Sequence, residues 1–104
     1  MGSIFRVPFV YVPELSTVLT QMHERGIHTY AAHLKGQKYY DSFSFREPTA
    51  FLIGNEGNGL TKEISDQAGQ YLKIPMEGKV ESLNASIAAA LLMYEAHRQR
   101  SARL

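Results

Sequence analysis

The sequence predicts an α/β domain, a parallel β-sheet flanked by helices. Three observations point there. Short runs of β-branched and aromatic residues alternate with stretches of helical periodicity, the connections between them are short, and two of the apolar runs stop at polar loops. In such sheets ligands gather beyond the carboxyl ends of the strands. The segment 51–86, FLIGNEGNGLTKEISDQAGQYLKIPMEGKVESLNAS, holds both of those loops. One follows an apolar run at 50–53 and carries Gly54, Gly57 and Gly59, while the other, 76–82, follows a run at 71–75 and feeds a long apolar helix. Two strand ends, two loops and one helix start would then form a single crevice.

Taken in order, residues 5–12 (FRVPFVYV) read as a strand, with Pro8 confining it to an edge. Pro13 and Glu14 open a helix, where proline is tolerated and an acid suits the dipole. Leu15, Val18, Leu19 and Met22 form its buried stripe, and Gly26 closes it as a residue of left-handed conformation. Residues 27–34 are the second strand. Residues 35–48 mix Lys35, Lys38 and Arg46 with Tyr39, Tyr40, Phe43 and Phe45. This loop either packs its aromatics onto the core, the bland alternative and the favoured one, or contacts RNA by phosphate pairing and stacking. The third strand is 49–53. Thr61 caps a short helix with Ile64 and Ala68 inside and Gly69 at its end, and 71–74 is the fourth strand. From Leu83 the last helix carries a stripe of Leu83, Ile87, Leu91 and Tyr94. Alanines 85, 88, 89 and 90 give it a second, thin flank, so it is expected to pack on two sides, one of them open to a second subunit. Its tail carries Arg98, Arg100 and Arg103, which suit a solvated helix end or an RNA contact.

The chain has 104 residues, of which 44% are hydrophobic, enough for one small packed domain. A formal net charge of +1 gives no overall field for nucleic acid or membrane, so any RNA-binding face must be local. The absence of cysteine excludes a disulfide scaffold and thiolate metal sites and fits a reducing cytoplasm. No apolar run approaches the roughly 20 residues of a membrane span, and no signal-peptide core is present. The four histidines are scattered, so no metal site is expected.

The glycine loop does not suit a phosphate. Leu60 stands where a Walker lysine is required, and the dinucleotide fingerprint fails because the order here is G-x-x-G-x-G. Glu56 within the loop would repel phosphate but would tolerate a cation. The glycines admit a neutral or cationic ligand, or simply make tight turns. Ser82, Asn84 and Ser86 lie at the start of the last helix, where Ser82 or Asn84 serves as the N-cap the helix requires, or one caps while the other hydrogen-bonds a substrate.

I-G-N-E-G-N-G-L at 53–60 followed by I-P-M-x-G-x-V-x-S-L-N-A-S at 74–86 resembles motifs two and three of the SpoU/TrmH family, RNA ribose 2′-O-methyltransferases of the SPOUT superfamily. S-x-x-F-R-V-P at 3–8 is similar to the segment after motif one. The resemblance covers essentially the whole chain, 1–104, as the C-terminal part of the catalytic domain. It implies an α/β-knot fold with a C-terminal trefoil knot whose N-terminal strands are missing here. It further implies S-adenosyl-L-methionine as methyl donor, rRNA or tRNA as substrate, and a homodimer through the last helix. Gly54, Ile74 and Leu83 match adenosyl-binding backbone positions, and Met76 lies on the same loop. Glu56 matches the motif-two acid. Ser82 and Asn84 match the polar pair near the target hydroxyl. Motif one, with the asparagine and the arginine that activates the hydroxyl, is absent, and Arg6 matches a different position. The expectation is a cofactor-binding fragment inactive by itself. The rival from another class is a non-catalytic RNA-binding or dimerisation module.

Overall fold

The computed structural model describes residues 6–33, 36–54, 60–74 and 85–101. Three short strands, β1 (His28–Ala32), β2 (Thr49–Leu52) and β3 (Gln70–Leu72), form a sheet in the order β2-β1-β3. Both pairings are parallel, with Ala31 opposite Leu52 and Ala32 opposite Leu72. The expected parallel sheet is present. Its last strand is shorter than expected, because Lys73 makes only an isolated bridge to Tyr39.

A central strand covered on both faces needs apolar side chains on both. Ala31 points to the face where α1 (Leu15–Glu24) and α2 (Lys62–Gln67) pack, in a cluster with Leu19 and Leu52 that Leu15, Met22, Ile64 and Tyr71 extend. Tyr30 points the other way, into a cluster with Phe45, Leu72 and Leu92 that Phe51, Ile53, Ile74 and Ala96 join. The second face is covered by α3 (Ala85–Ser101) and by the loop before β2. The aromatics of that loop therefore serve chiefly as core: Phe45 is wholly buried and Phe43 and Tyr40 pack against its cluster.

The helix ends follow local chemistry. Gly26 adopts φ +76°, the left-handed geometry that ends α1 as the sequence predicts. The Thr61 hydroxyl accepts the Ile64 N–H and caps α2. Gly69 does not close α2 in a left-handed turn; Ala68 is the C-cap, in extended geometry. Gly69 is needed for close approach instead. A Cβ there would lie 3.1 Å from the Thr29 carbonyl oxygen, while its N–H donates to the buried Thr29 hydroxyl at 2.8 Å.

Two further expectations are corrected. Residues 6–12 form no strand. Val7, Phe9, Val10 and Tyr11 lie exposed, and Pro8 lacks the N–H a ladder would use. The inward stripe of α3 is also not the one expected. Ala88, Leu92 and Glu95 are buried, whereas Ile87, Leu91 and Tyr94 are exposed; Leu83 lies outside the described residues. Both faces of this helix are apolar, so periodicity alone could not choose between them. The choice is made by Ala88, small enough to let the helix approach the sheet, and by polar anchoring at its far end.

That anchoring is extensive. Gln99 Oε1 accepts the Phe45 N–H at 2.6 Å, and its Nε2 donates to the Phe43 carbonyl and to Glu95 Oε2. Arg98 grips Glu95 through two 2.8 Å hydrogen bonds. Arg100 donates to the carbonyls of Phe45 and Glu47. The buried Glu95 carboxylate is thus satisfied, and the Arg98 hydrogen bonds, with help from Gln99, hold its pKa down at about 2 against the opposing effect of burial. Of the tail cations expected either to be solvated or to meet RNA, Arg100 binds the helix to its own domain, whereas Arg98 pairs with Glu95 within the helix. Among the described residues no helix is long and apolar enough to cross a membrane.

Candidate active site

The anchors of α3 fix its direction. Arg100 bonds Phe45 and Glu47, which immediately precede β2, and Glu47 also meets His28 at the start of β1 at 2.8 Å. The carboxyl end of α3 therefore lies at the amino edge of the sheet. A 17-residue helix spans about 25 Å, so its amino end, Ala85, lies toward the carboxyl edge.

Two of the predicted site residues, Gly54 and Ile74, lie at that edge. β2 runs past Leu52 through Ile53 to Gly54, and β3 runs past Leu72 through Lys73 to Ile74. Because β1 lies between them, the two continuations emerge two strand spacings apart, about 10 Å. Gly54 and Ile74 are both half-buried. Ile53 and Ile74 pack on the same cluster as Leu92, so the edge is apolar on the α3 side.

The segment after β1, expected as a loop, straps the continuation of β3 immediately before Ile74. After β1 the His33 N–H bonds the Leu72 carbonyl, and Lys73 gives its N–H to the Lys38 carbonyl at 2.8 Å and takes the Tyr40 N–H at 2.8 Å. Gly36 makes this possible. A Cβ at that position would lie 2.9 Å from the Leu72 carbonyl carbon, a contact no side chain tolerates. The K-G-Q-K run was the available signal, a glycine in a polar stretch just after a strand. Gln99 had no such signal, since its bonds join positions more than fifty residues apart.

The other expected site residues, Glu56, Met76, Ser82, Leu83 and Asn84, lie outside the described residues. Among the described residues no group of three His, Asp or Glu side chains could hold a metal ion. An open groove of about 300 Å³ lies at the opposite, amino edge, lined by Gly26, Ile27, His28, Thr29 and Gly69 among others. It is a poor candidate. The Thr29 hydroxyl inside it is already bonded to Gly69 and, at 2.8 Å, to His23 Nε2, and ligands of parallel sheets sit at the other edge.

Known proteins resemble this chain over most of its length. Residues 1–94 match the model of the SpoU rRNA Methylase family. YacO of Bacillus subtilis (strain 168), assigned to the TrmH family of tRNA/rRNA methyltransferases, is 38% identical over 100 residues, which is 96% of this chain and 40% of YacO. The SpoU methyltransferase AviRb from Streptomyces viridochromogenes, solved in complex with the cofactor AdoMet, superposes with a TM-score of 0.85 at 36% identity, covering 95% of this chain and 41% of AviRb. An RNA 2′-O ribose methyltransferase structure superposes at 0.73 with 36% identity, covering 82% of this chain and 33% of that one. The chain thus spans about 40% of the length of YacO and of AviRb. With nine-tenths of its residues matched by the family model and 95% of the chain superposing on AviRb, the chain belongs to the SpoU rRNA methylase family.

Proposed function

We propose that this chain is the cofactor-binding part of an S-adenosyl-L-methionine-dependent RNA ribose 2′-O-methyltransferase, acting on rRNA or tRNA in the cytoplasm. The observation that carries the reading is that Gly54 and Ile74 both follow strands at the carboxyl edge, on the side toward which the start of α3 points. The edge suits an adenosyl group: Gly54 lets the backbone approach a flat ring, and Ile53 and Ile74 offer apolar surface. AviRb, which superposes over nearly the whole chain, was solved with AdoMet. The bound donor supplies an electrophilic methyl group on a positively charged sulfonium. Met76 and Leu83 would complete the adenosyl pocket. Glu56, two residues beyond Gly54 in the chain, would face the positive charge. Ser82 and Asn84, just before Ala85, would hold the ribose hydroxyl in line for attack, so that positioning supplies most of the rate. A C-terminal trefoil knot belongs to the same proposal.

A homodimer through α3 is the second part of the reading. Leu91 and Tyr94 are exposed on one face of that helix, Tyr94 to 75%, and an exposed apolar face is a usual interaction surface. Light scattering is expected to give the mass of two chains, and of one chain for Leu91→Glu; a monomeric wild type would contradict it.

Calorimetry with S-adenosylhomocysteine tests the cofactor site. Wild type is expected to bind one equivalent per chain, and Gly54→Val, checked for native helix content, is expected to lose detectable binding. Equal affinity in the variant would remove the glycine edge from the site. An RNA-binding chain with no affinity for the cofactor product would favour the non-catalytic module.

A further inference from the structure

Of the aromatics in the 35–48 loop, Tyr39 is the exception to burial. It is 47% exposed, whereas Phe43, Phe45 and Tyr40 pack on the core. It is also firmly placed. Its backbone bridges Lys73 in parallel register, and the residues on either side of it hydrogen-bond the Lys73 N–H and carbonyl. Lys73 Nζ lies 5.7 Å from the centre of the Tyr39 ring. Lys38, next in the chain, is exposed. One residue beyond Lys73 is Ile74, at the edge assigned above to the adenosyl group.

We infer that Tyr39, flanked by Lys38 and Lys73, is a stacking platform for an unpaired nucleobase of the RNA substrate, beside the cofactor edge. The inference rests on the methyltransferase reading and names a substrate contact within it. With a net charge of only +1 the protein cannot hold RNA by a general field, so a local combination of ring and cations is required. A half-exposed ring at a backbone-fixed position offers a face to a base, and the Lys73 ammonium near it, with the exposed Lys38 next in the chain, would meet the phosphates that flank that base. Tyr39 acts as a positioning residue: a base held there presents its neighbouring ribose to the edge where methyl transfer is proposed.

Fluorescence polarisation with a labelled single-stranded oligoribonucleotide of about ten residues tests this, at low salt. Tyr39→Ala is expected to weaken binding by about tenfold or more, and Tyr39→Phe to bind like wild type, because the ring rather than the hydroxyl is used. Lys38→Ala is expected to reduce the salt dependence of log K by about 0.7, the contribution of one phosphate contact. S-adenosylhomocysteine affinity, measured on the same proteins, is expected to stay within twofold in all three. Unchanged RNA affinity in Tyr39→Ala with cofactor-product binding intact would overturn the platform alone. So would equal losses in Tyr39→Ala and Tyr39→Phe, or a wild type that does not bind the oligonucleotide. Failure of wild type to bind S-adenosylhomocysteine would instead overturn the reading beneath it. If Tyr39→Ala loses its native helix content, Lys38→Ala decides: an unchanged salt slope rejects the proposal.

Discussion

Phe45→Ala is expected to lower the stability of the domain by about 3–5 kcal/mol, the range for removing a fully buried phenylalanine. The ring is completely inaccessible and meets Tyr30 edge-on at a 5.1 Å centroid distance and Phe51 at 4.9 Å. It lies at the junction of three elements: the loop before β2, the centre of β1 through Tyr30, and α3 through Leu92. A cavity there cannot collapse cheaply, because the Phe45 backbone is held in place by Gln99 and Arg100. Small domains have about 5–15 kcal/mol in total, so the variant should be close to unfolding. Urea denaturation followed by far-UV circular dichroism should show the midpoint falling by about 2 M or more. A loss below about 1 kcal/mol would mean that α3 does not pack on this face.

The second large effect is a loss of stability in acid that depends on Glu95. Its folded pKa is lowered from 4.5 to about 2, first by the Arg98 hydrogen bonds and then by Gln99. A lowered carboxylate pKa means that the folded state releases the proton more readily than the unfolded chain. The contribution is therefore fully present above pH 4.5 and is lost as the pH falls toward 2. It amounts to about 3 kcal/mol at neutral pH, of which about 2 kcal/mol is gone by pH 3. Other carboxylates titrate in the same window, so Glu95→Gln is the control. The stability gap between wild type and Glu95→Gln should be widest near pH 7 and shrink by about 2 kcal/mol at pH 3. A gap independent of pH would mean that the Glu95–Arg98 pair adds packing and hydrogen bonds but no charge-dependent stability.

The sequence carried the local features well. Gly26, Thr61 and the stripe of α1 are recognisable because their causes lie within a few residues, in a left-handed turn, a cap and a 3.6-residue repeat. That strands end just before Gly54 and Ile74 was legible to within two residues, and their lying at one edge followed from parallel pairing. What could not be read depended on partners far away in the chain. The inward face of α3 was chosen by Gln99 and Arg100 against a loop more than fifty residues earlier, and two apolar faces left periodicity without a preference. Residues 6–12 have strand composition but no neighbouring strand among the described residues, and propensity without a partner does not make a ladder. The strap over β3 left only a weak signal, a glycine just after a strand, because Gly36 is set by contact with Leu72 and not by its own neighbours. For Glu56, Met76, Ser82, Leu83 and Asn84 the sequence remains the sole source, through motifs two and three.

Amide chemical-shift mapping during a titration with S-adenosylhomocysteine tests the central claim most directly, because it locates the ligand on the sheet. Saturable shifts concentrated at Ile53, Gly54, Lys73, Ile74 and Ala85, with little change at Gly26, Thr29 and Gly69, are the result expected. Shifts centred on the amino edge, or none at concentrations that saturate AviRb, would contradict it.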